Sequence, residues 1–177
     1  GKASYHFRRF LQDSMREETF SYIARLFADD RPAREVISSD WTMMNDTLAR
    51  HYGYDGIKGG HLRKVKLRKD DKRGGGIMSH AGIQSMLTWM GDNWVIYRGA
   101  WTARHILDDP PQLPPLEVPE LDATAGDNKY KTARELMAMH REDPNCNVCH
   151  IKLDPIGFAF QNFDLSGRWR DVEHASY

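Results

Sequence analysis

The residues whose types and spacing can do chemistry are Cys146-Asn147-Val148-Cys149-His150. They read C-x-x-C-H, the attachment signature of a c-type haem. Two thiols at this spacing add to the two vinyl groups of a porphyrin. The histidine beside the second thiol is then placed to bind the iron from the proximal side. The chain holds two cysteines in all, so none remain for a disulfide. Other chemistries use the same residue types. A thioredoxin-like dithiol belongs in a βαβ context. Here the flanks read as a helical run ending at Asp143-Pro144 and an irregular turn at Leu153-Asp154-Pro155. A structural zinc site draws on four Cys or His ligands at recurring spacings. The chain has neither a second cysteine pair nor an H-x-x-x-H run after the first. Covalent haem is the reading these residues favour.

His150 is the expected proximal ligand, and the ligand on the opposite face of the iron decides the function. In ordinary small cytochromes c a downstream methionine takes that place. No methionine follows His150, and His174 is the one histidine beyond it. The distal ligand is therefore expected from upstream, or the sixth position is open. His80 is the first candidate, because it follows a glycine-rich turn and begins an expected helix. Met78, Met86 and Met90 are the alternatives, although methionines at helical spacing more often fill gaps in a core. His140 lies on the helix entering the motif, where packing or a hydrogen bond to a propionate suits it; His105 is similar. Arg73, Arg98, Arg168 and Arg170 are of the type that pairs bidentately with propionates. Phe158 and Phe160 offer apolar contacts to a porphyrin face, or ordinary core packing. Two firm axial ligands restrict the iron to electron exchange, whereas an open position admits peroxide, dioxygen or nitric oxide.

The elements that must position these residues read as mainly helical. Phe7, Phe10, Leu11, Met15, Phe20, Ile23 and Phe27 recur at three- and four-residue steps and predict a first helix with these on its buried face. Ser39 or Asp40 is expected to cap a second helix carrying Trp41, Met44, Leu48 and Tyr52, closed by Gly53 and Gly56. The basic, glycine-rich stretch 61–76 predicts a short strand or extended loop. Helices are expected over 77–90 and 98–107. Five of the eight prolines fall in 110–119, which predicts an extended, polyproline-like arm. Thr132-Ala133-Arg134-Glu135 is a capping-box pattern that opens the helix leading to the motif. The expected fold is an irregular helical domain with a Pro-rich linker and a C-terminal covalent haem c segment.

Composition bounds the function. The 177 residues carry 25 basic and 25 acidic side chains, so nothing suggests nucleic acid or an anionic membrane surface as partner. No apolar run is long enough for a transmembrane helix, and no signal peptide is visible. Haem c is attached outside the cytoplasm, so an export signal is expected upstream and a periplasmic or other extracytoplasmic site follows.

Taken together the motifs resemble a family of bacterial haem proteins common in planctomycetes and related phyla, whose members carry adjacent domains called DUF1592 and DUF1588, often with DUF1585 further along. The stretches that carry the resemblance are Asn45 to Gly53, Arg73-Gly74-Gly75-Gly76-Ile77-Met78-Ser79-His80, Tyr97-Arg98-Gly99-Ala100-Trp101, the Pro-Pro linker, Cys146 to His150, Asp154 to Asp164 and Gly167-Arg168-Trp169-Arg170. They span about 14 to 171. The stretch from Thr88 to Ile96 departs from the Ser-Pro-rich pattern expected between the second and third. The resemblance implies a DUF1592-like helical segment over 1–56 and a DUF1588-like haem c domain over 57–177, with one covalent haem and long exported precursors. It brings no settled biochemical role. The function expected is a mono-haem c-type cytochrome in extracytoplasmic electron transfer, as a subunit or module of a larger redox assembly with redox proteins as partners. A five-coordinate, peroxidase-like enzyme and a structural haem-bearing docking subunit are the alternatives.

Overall fold

A computed structural model describes residues 2–88, 94–112 and 131–171. Among these the chain is about half helical with one two-stranded sheet, so the mainly α expectation holds at that level. The order is α1 (Lys2–Ala28), β1 (Trp41–Met44), α2 (Asp46–Tyr52), β2 (Arg63–Lys66), α3 (Ala81–Met86), α4 (Trp94–His105), α5 (Ala133–His140) and α6 (Pro144–Phe158), with 3-10 turns at Ala33–Val36 and Ile77–Ser79. Most of the Pro-rich arm, together with Met90 and His174, lies outside the described residues. The chain divides into two compact units, 1–86 with 163–169, and 87–162 with 170–177.

In the first unit α1 buries a narrow row: Ser14, Met15, Glu18, Tyr22 and Leu26. Phe10, Phe20 and Phe27, expected on the buried face, are exposed. Met15 is buried as expected, and Leu11 and Ile23 pack against the core; the phenylalanines are left outside because the neighbours of α1 offer polar partners to Glu18 and Tyr22. The expected second helix is half strand. Trp41 to Met44 form β1, whose four side chains are all buried, and pair antiparallel with β2, Trp41 opposite Lys66 and Met44 opposite Arg63. The helix starts later because Asn45 caps it, its side chain accepting the Leu48 N–H at 3.0 Å. Gly53 ends it in the left-handed region, as expected. The strand expected within 61–76 is β2. The helix expected from 77 is a 3-10 turn followed by α3, separated at His80, whose backbone is extended.

The Arg73-Gly74-Gly75-Gly76 stretch has a steric cause. Gly76 has φ +83°, and a Cβ there would lie 2.3 Å from the Ile37 carbonyl oxygen. Residues 163–169 form a tight turn in which Asp164 accepts from the backbone N–H of Ser166 and Arg168, and Phe163 meets Trp169 edge to face.

The second unit is built on α4, α5 and α6. The expected capping box is present: Thr132 and Glu135 exchange side-chain and backbone hydrogen bonds at the start of α5. α5 and α6 form an antiparallel hairpin joined by residues 141–143. Leu136 and Met137 face inward, and Val95, Met137 and Phe158 make a small core. α4 lies against α6 at backbone distance. A Cβ at Gly157 would sit 2.1 Å from the Val95 carbonyl oxygen, and one at Gly99 would sit 2.5 Å from that of Leu153. No side-chain rotation relieves a clash with backbone. Gly157→Ala is therefore expected to lower stability by about 3 kcal/mol. Gly60→Ala, where nothing lies within 4 Å, should change it by less than about 0.5 kcal/mol. Denaturant unfolding followed by circular dichroism checks both, and equal midpoints for the two variants would contradict the close helix contact.

Candidate functional site

The motif lies on α6, not between a helix and an irregular turn. Asp143 caps the helix, its carboxylate accepting the Asn145 N–H at 2.8 Å, and Pro144 takes the first turn, where its missing N–H leaves nothing unpaired. Asp143-Pro144 thus separates α5 from α6 and starts the second. The helix then runs through Leu153-Asp154-Pro155 to Phe158, with Pro155 inside it. The expected turn is overridden because the flank carrying Leu153 and Gly157 packs on α4.

Continuity of the helix sets the geometry of the site. Cys146, Cys149 and His150 are three and four residues apart and share one face, which Leu153, Asp154 and Gly157 continue. Both thiols are free and half-buried. Burial pushes the Cys146 thiol up from its ordinary pKa, and Asp143 and Cys149 add to the effect.

His150 is 14 % exposed, and its Nδ1 lies 2.8 Å from Oδ1 of Asp154, four residues on. A carboxylate can only accept, so the proton sits on Nδ1 and donates to Asp154. Nε2 is left with its lone pair and makes no hydrogen bond to a described residue. Asp154 is buried, and its second oxygen has no hydrogen-bond partner among the described residues. Arg141 approaches that oxygen at 3.6 Å, too long for a hydrogen bond. The α5–α6 hairpin also brings the His140 ring edge-on to His150, centroids 4.8 Å apart. Burial lowers the pKa of His140, and the neighbouring His150 lowers it further.

Among the described residues no three His, Cys, Asp or Glu side chains gather as a metal-binding set. A closed structural zinc centre, which needs four donors, has no ligand set among the described residues.

The two phenylalanines differ in their surroundings. Phe158 is buried with Val95 and Met137 and carries the Arg134 guanidinium 4.2 Å above its ring. Phe160 is half-buried, and its carbonyl accepts from the buried Arg98 at 2.8 Å. Arg73 and Arg168 line an open cleft of the first unit together with Arg50, His51, Arg68 and Lys72. Arg73 is buried there in an ion pair with Asp71 at 3.0 Å and lies 3.7 Å above the Tyr52 ring. Arg170 is half-buried and in the second unit. His105 stacks on Trp101 within α4.

His80 belongs to the core of the first unit and is completely buried. Thr19 Oγ1 lies 3.0 Å from its Nδ1 and Thr42 Oγ1 lies 3.3 Å from its Nε2. With Glu18 ionised, Thr42 gives its own proton to Glu18 at 2.9 Å, so the Nε2–H donates to Thr42 and Nδ1 accepts from Thr19. Neither ring nitrogen has a lone pair to spare in this arrangement. Met78 is buried beside it, and Met86 is exposed.

The model of PSCyt3, a protein of unknown function (DUF1588), matches residues 73–173, and that of PSD4, a protein of unknown function (DUF1592), matches residues 2–54. The chain belongs to the DUF1588 family. No curated protein and no solved structure matches it. The DUF1588 match takes in the glycine-rich turn before His80, α4 with its Gly99 contact, and the whole of α6. The DUF1592 match ends just after α2, inside the first compact unit.

Two residues that matter here do not stand out in the sequence. Asp154 sits beside a proline and reads as part of a turn; the signal for it is the four-residue step from His150, which has meaning only if the helix continues. Glu18 has no signal at all, being one acid among several on α1. In the structure it is fully buried and accepts from Thr42 and from Tyr52, the latter at 2.5 Å.

Burial raises the pKa of Glu18 to about 7, against the pull of its hydrogen bonds and of Arg73. Burial, with Arg73 adding, lowers that of His80 to about 3. Between about pH 4.5 and 6.5 the native state holds one proton on Glu18 that the unfolded chain releases, so stability falls as pH rises. Over the same window the unfolded chain holds a proton on His80 that the native state excludes, so stability rises with pH. Each contributes about 1.4 kcal/mol per pH unit, with opposite sign. Glu18→Gln removes the falling contribution alone. Its unfolding free energy should climb with pH from 4.5 to 6.5 more steeply than the wild type's, and parallel curves in urea titrations would refute the assignment.

Proposed function

We propose that α6 carries a covalent haem c and that the protein is a mono-haem, extracytoplasmic electron-transfer module working with other redox proteins as a subunit or part of a larger assembly. One observation carries the reading. Cys146, Cys149 and His150 lie on one helical face, with the His150 proton held on Nδ1 so that Nε2 is available to iron. The residues fit the group on a second ground. Asp154 buries an oxygen with no hydrogen-bond partner, and Arg141, 3.6 Å away, offsets only part of that cost. A cation held at His150 Nε2 would offset more of it. Cys146 and Cys149 are the attachment thiols, and neither is tied up in a disulfide. When bound, the haem supplies one-electron exchange between ferric and ferrous iron. Phe160, half-buried after the motif, is the apolar contact proposed for the group, since Phe158 is taken up in the core with Val95 and Met137. Among the described residues no helix is long and apolar enough to cross a membrane, which is consistent with a module that reaches any membrane through its partners.

A specific observation favours a second reading beside it. Both ring nitrogens of His80 are engaged by threonines. Ligation by His80 requires at least one of these bonds to break. If they hold, and no methionine substitutes, the iron is five-coordinate and open to small oxidants, as in a peroxidase-like enzyme.

Protein made through an extracytoplasmic haem-attachment pathway should keep its pigment through acid-acetone extraction and give the pyridine haemochrome spectrum of a thioether-linked haem. Cys146→Ser with Cys149→Ser should release it. Pigment that extracts from the wild type defeats the covalent reading. Carbon monoxide added to the reduced protein then separates the two functions. A haem inert to the gas supports the electron carrier, and Ala in place of His80 should make it reactive if His80 is the ligand. Rapid binding by the wild type supports the open site.

A further inference from the structure

The buried carboxylate behind His150 has a consequence for redox chemistry that goes beyond attachment. Asp154 is completely buried on α6, which α4 holds at backbone contact through Gly99 and Gly157. Its position is thus fixed by the fold and not by a mobile side chain. It accepts the His150 Nδ1–H at 2.8 Å. The opposing charge nearest to it, Arg141 Nε, stands 3.6 Å from its other oxygen. The His140 ring packs edge-on against His150 from the neighbouring helix. The imidazole is therefore held between a carboxylate and a packed ring, in one tautomer and one orientation.

A carboxylate that accepts from Nδ1 draws the proton toward itself and makes the opposite nitrogen a stronger donor. A stronger, more anionic ligand stabilises ferric over ferrous iron and lowers the reduction potential. A backbone carbonyl or a water in the same place would do this far less, because neither carries a charge.

We propose that Asp154 is the positioning residue for the iron ligand, orienting His150 and holding the haem at a low midpoint potential. The proposal rests on the haem reading above. It makes the protein an acceptor from strongly reducing donors, in contrast to the high-potential carriers that a methionine ligand produces. The exchange involves one electron: the reduced donor loses it, the iron gains it, and the Asp154–His150 bond remains intact.

The test uses the haem-loaded full chain, wild type beside Asp154→Asn and Asp154→Ala. Pyridine haemochrome is read first on all three. A wild type without covalent haem overturns the haem reading, and this proposal with it, before any potential is compared. With haem attached, Asp154→Asn keeps the shape and an acceptor oxygen but loses the charge, so its midpoint potential should rise above the wild type's. Asp154→Ala should rise as well. Potentials equal to the wild type's in variants that retain native circular dichroism overturn the proposal while leaving the haem reading intact. A measurement on the wild type alone covers the case in which the variants do not fold. The hyperfine-shifted Nδ1–H resonance of His150 in the ferric protein should exchange slowly with D2O, because a buried carboxylate holds it. A proton that exchanges within the dead time overturns the proposal.

Discussion

Two helices of the second unit touch along their backbones, and the candidate site depends on that contact. At Gly157 and Gly99 there is no room for even one methyl group between α4 and α6. So close an approach fixes which flank of α6 is buried. It carries the helix through Pro155, a residue that removes one helical hydrogen bond and would otherwise favour an end. Because the helix continues, Asp154 comes to lie one turn beyond His150 and below the surface. Had the chain turned at Leu153, the same residues would leave His150 without an acceptor for its Nδ1 proton. The α5–α6 hairpin adds to the constraint by placing His140 and Arg141 beside the His150–Asp154 pair.

The first unit is organised around buried polar groups. Thr19, His80, Thr42, Glu18 and Tyr52 form an unbroken chain of hydrogen bonds, and Arg73 covers the Tyr52 ring while pairing with buried Asp71. Such a chain is stabilising only when every member is satisfied. It holds His80, at the end of the glycine-rich turn, in the core of the first unit with a threonine hydroxyl at each ring nitrogen. Gly76 takes part in the same arrangement: its left-handed backbone lets the turn lie against residues 36 and 37 and delivers His80 inward. The DUF1588 match begins at Arg73, so the glycine-rich turn and α6 fall within one family region although they occupy different compact units.

Much of this was legible from residues alone, and the misses share a cause. Local signals worked where the deciding partner is a neighbour in sequence. The capping box at Thr132 and the helix end at Gly53 are of this kind. Local signals failed where a distant element decided. Trp41 to Met44 became a strand because β2 pairs with them, the buried face of α1 followed its polar partners and not its phenylalanines, and Pro155 was absorbed because α4 lies against α6.

By itself, then, the sequence determined the reactive set: two thiols and an imidazole at a spacing that one helical turn brings to one face, on a chain of mainly helical character. Tertiary structure decided what stands behind that imidazole and what became of His80. A hydrogen-bond acceptor or a buried surrounding is a property of packed neighbours, and those neighbours are chosen by contacts such as Gly157 against Val95 and Thr42 against His80. No spacing rule encodes them, because the free energy that selects them comes from burial and hydrogen bonding between segments far apart in the chain.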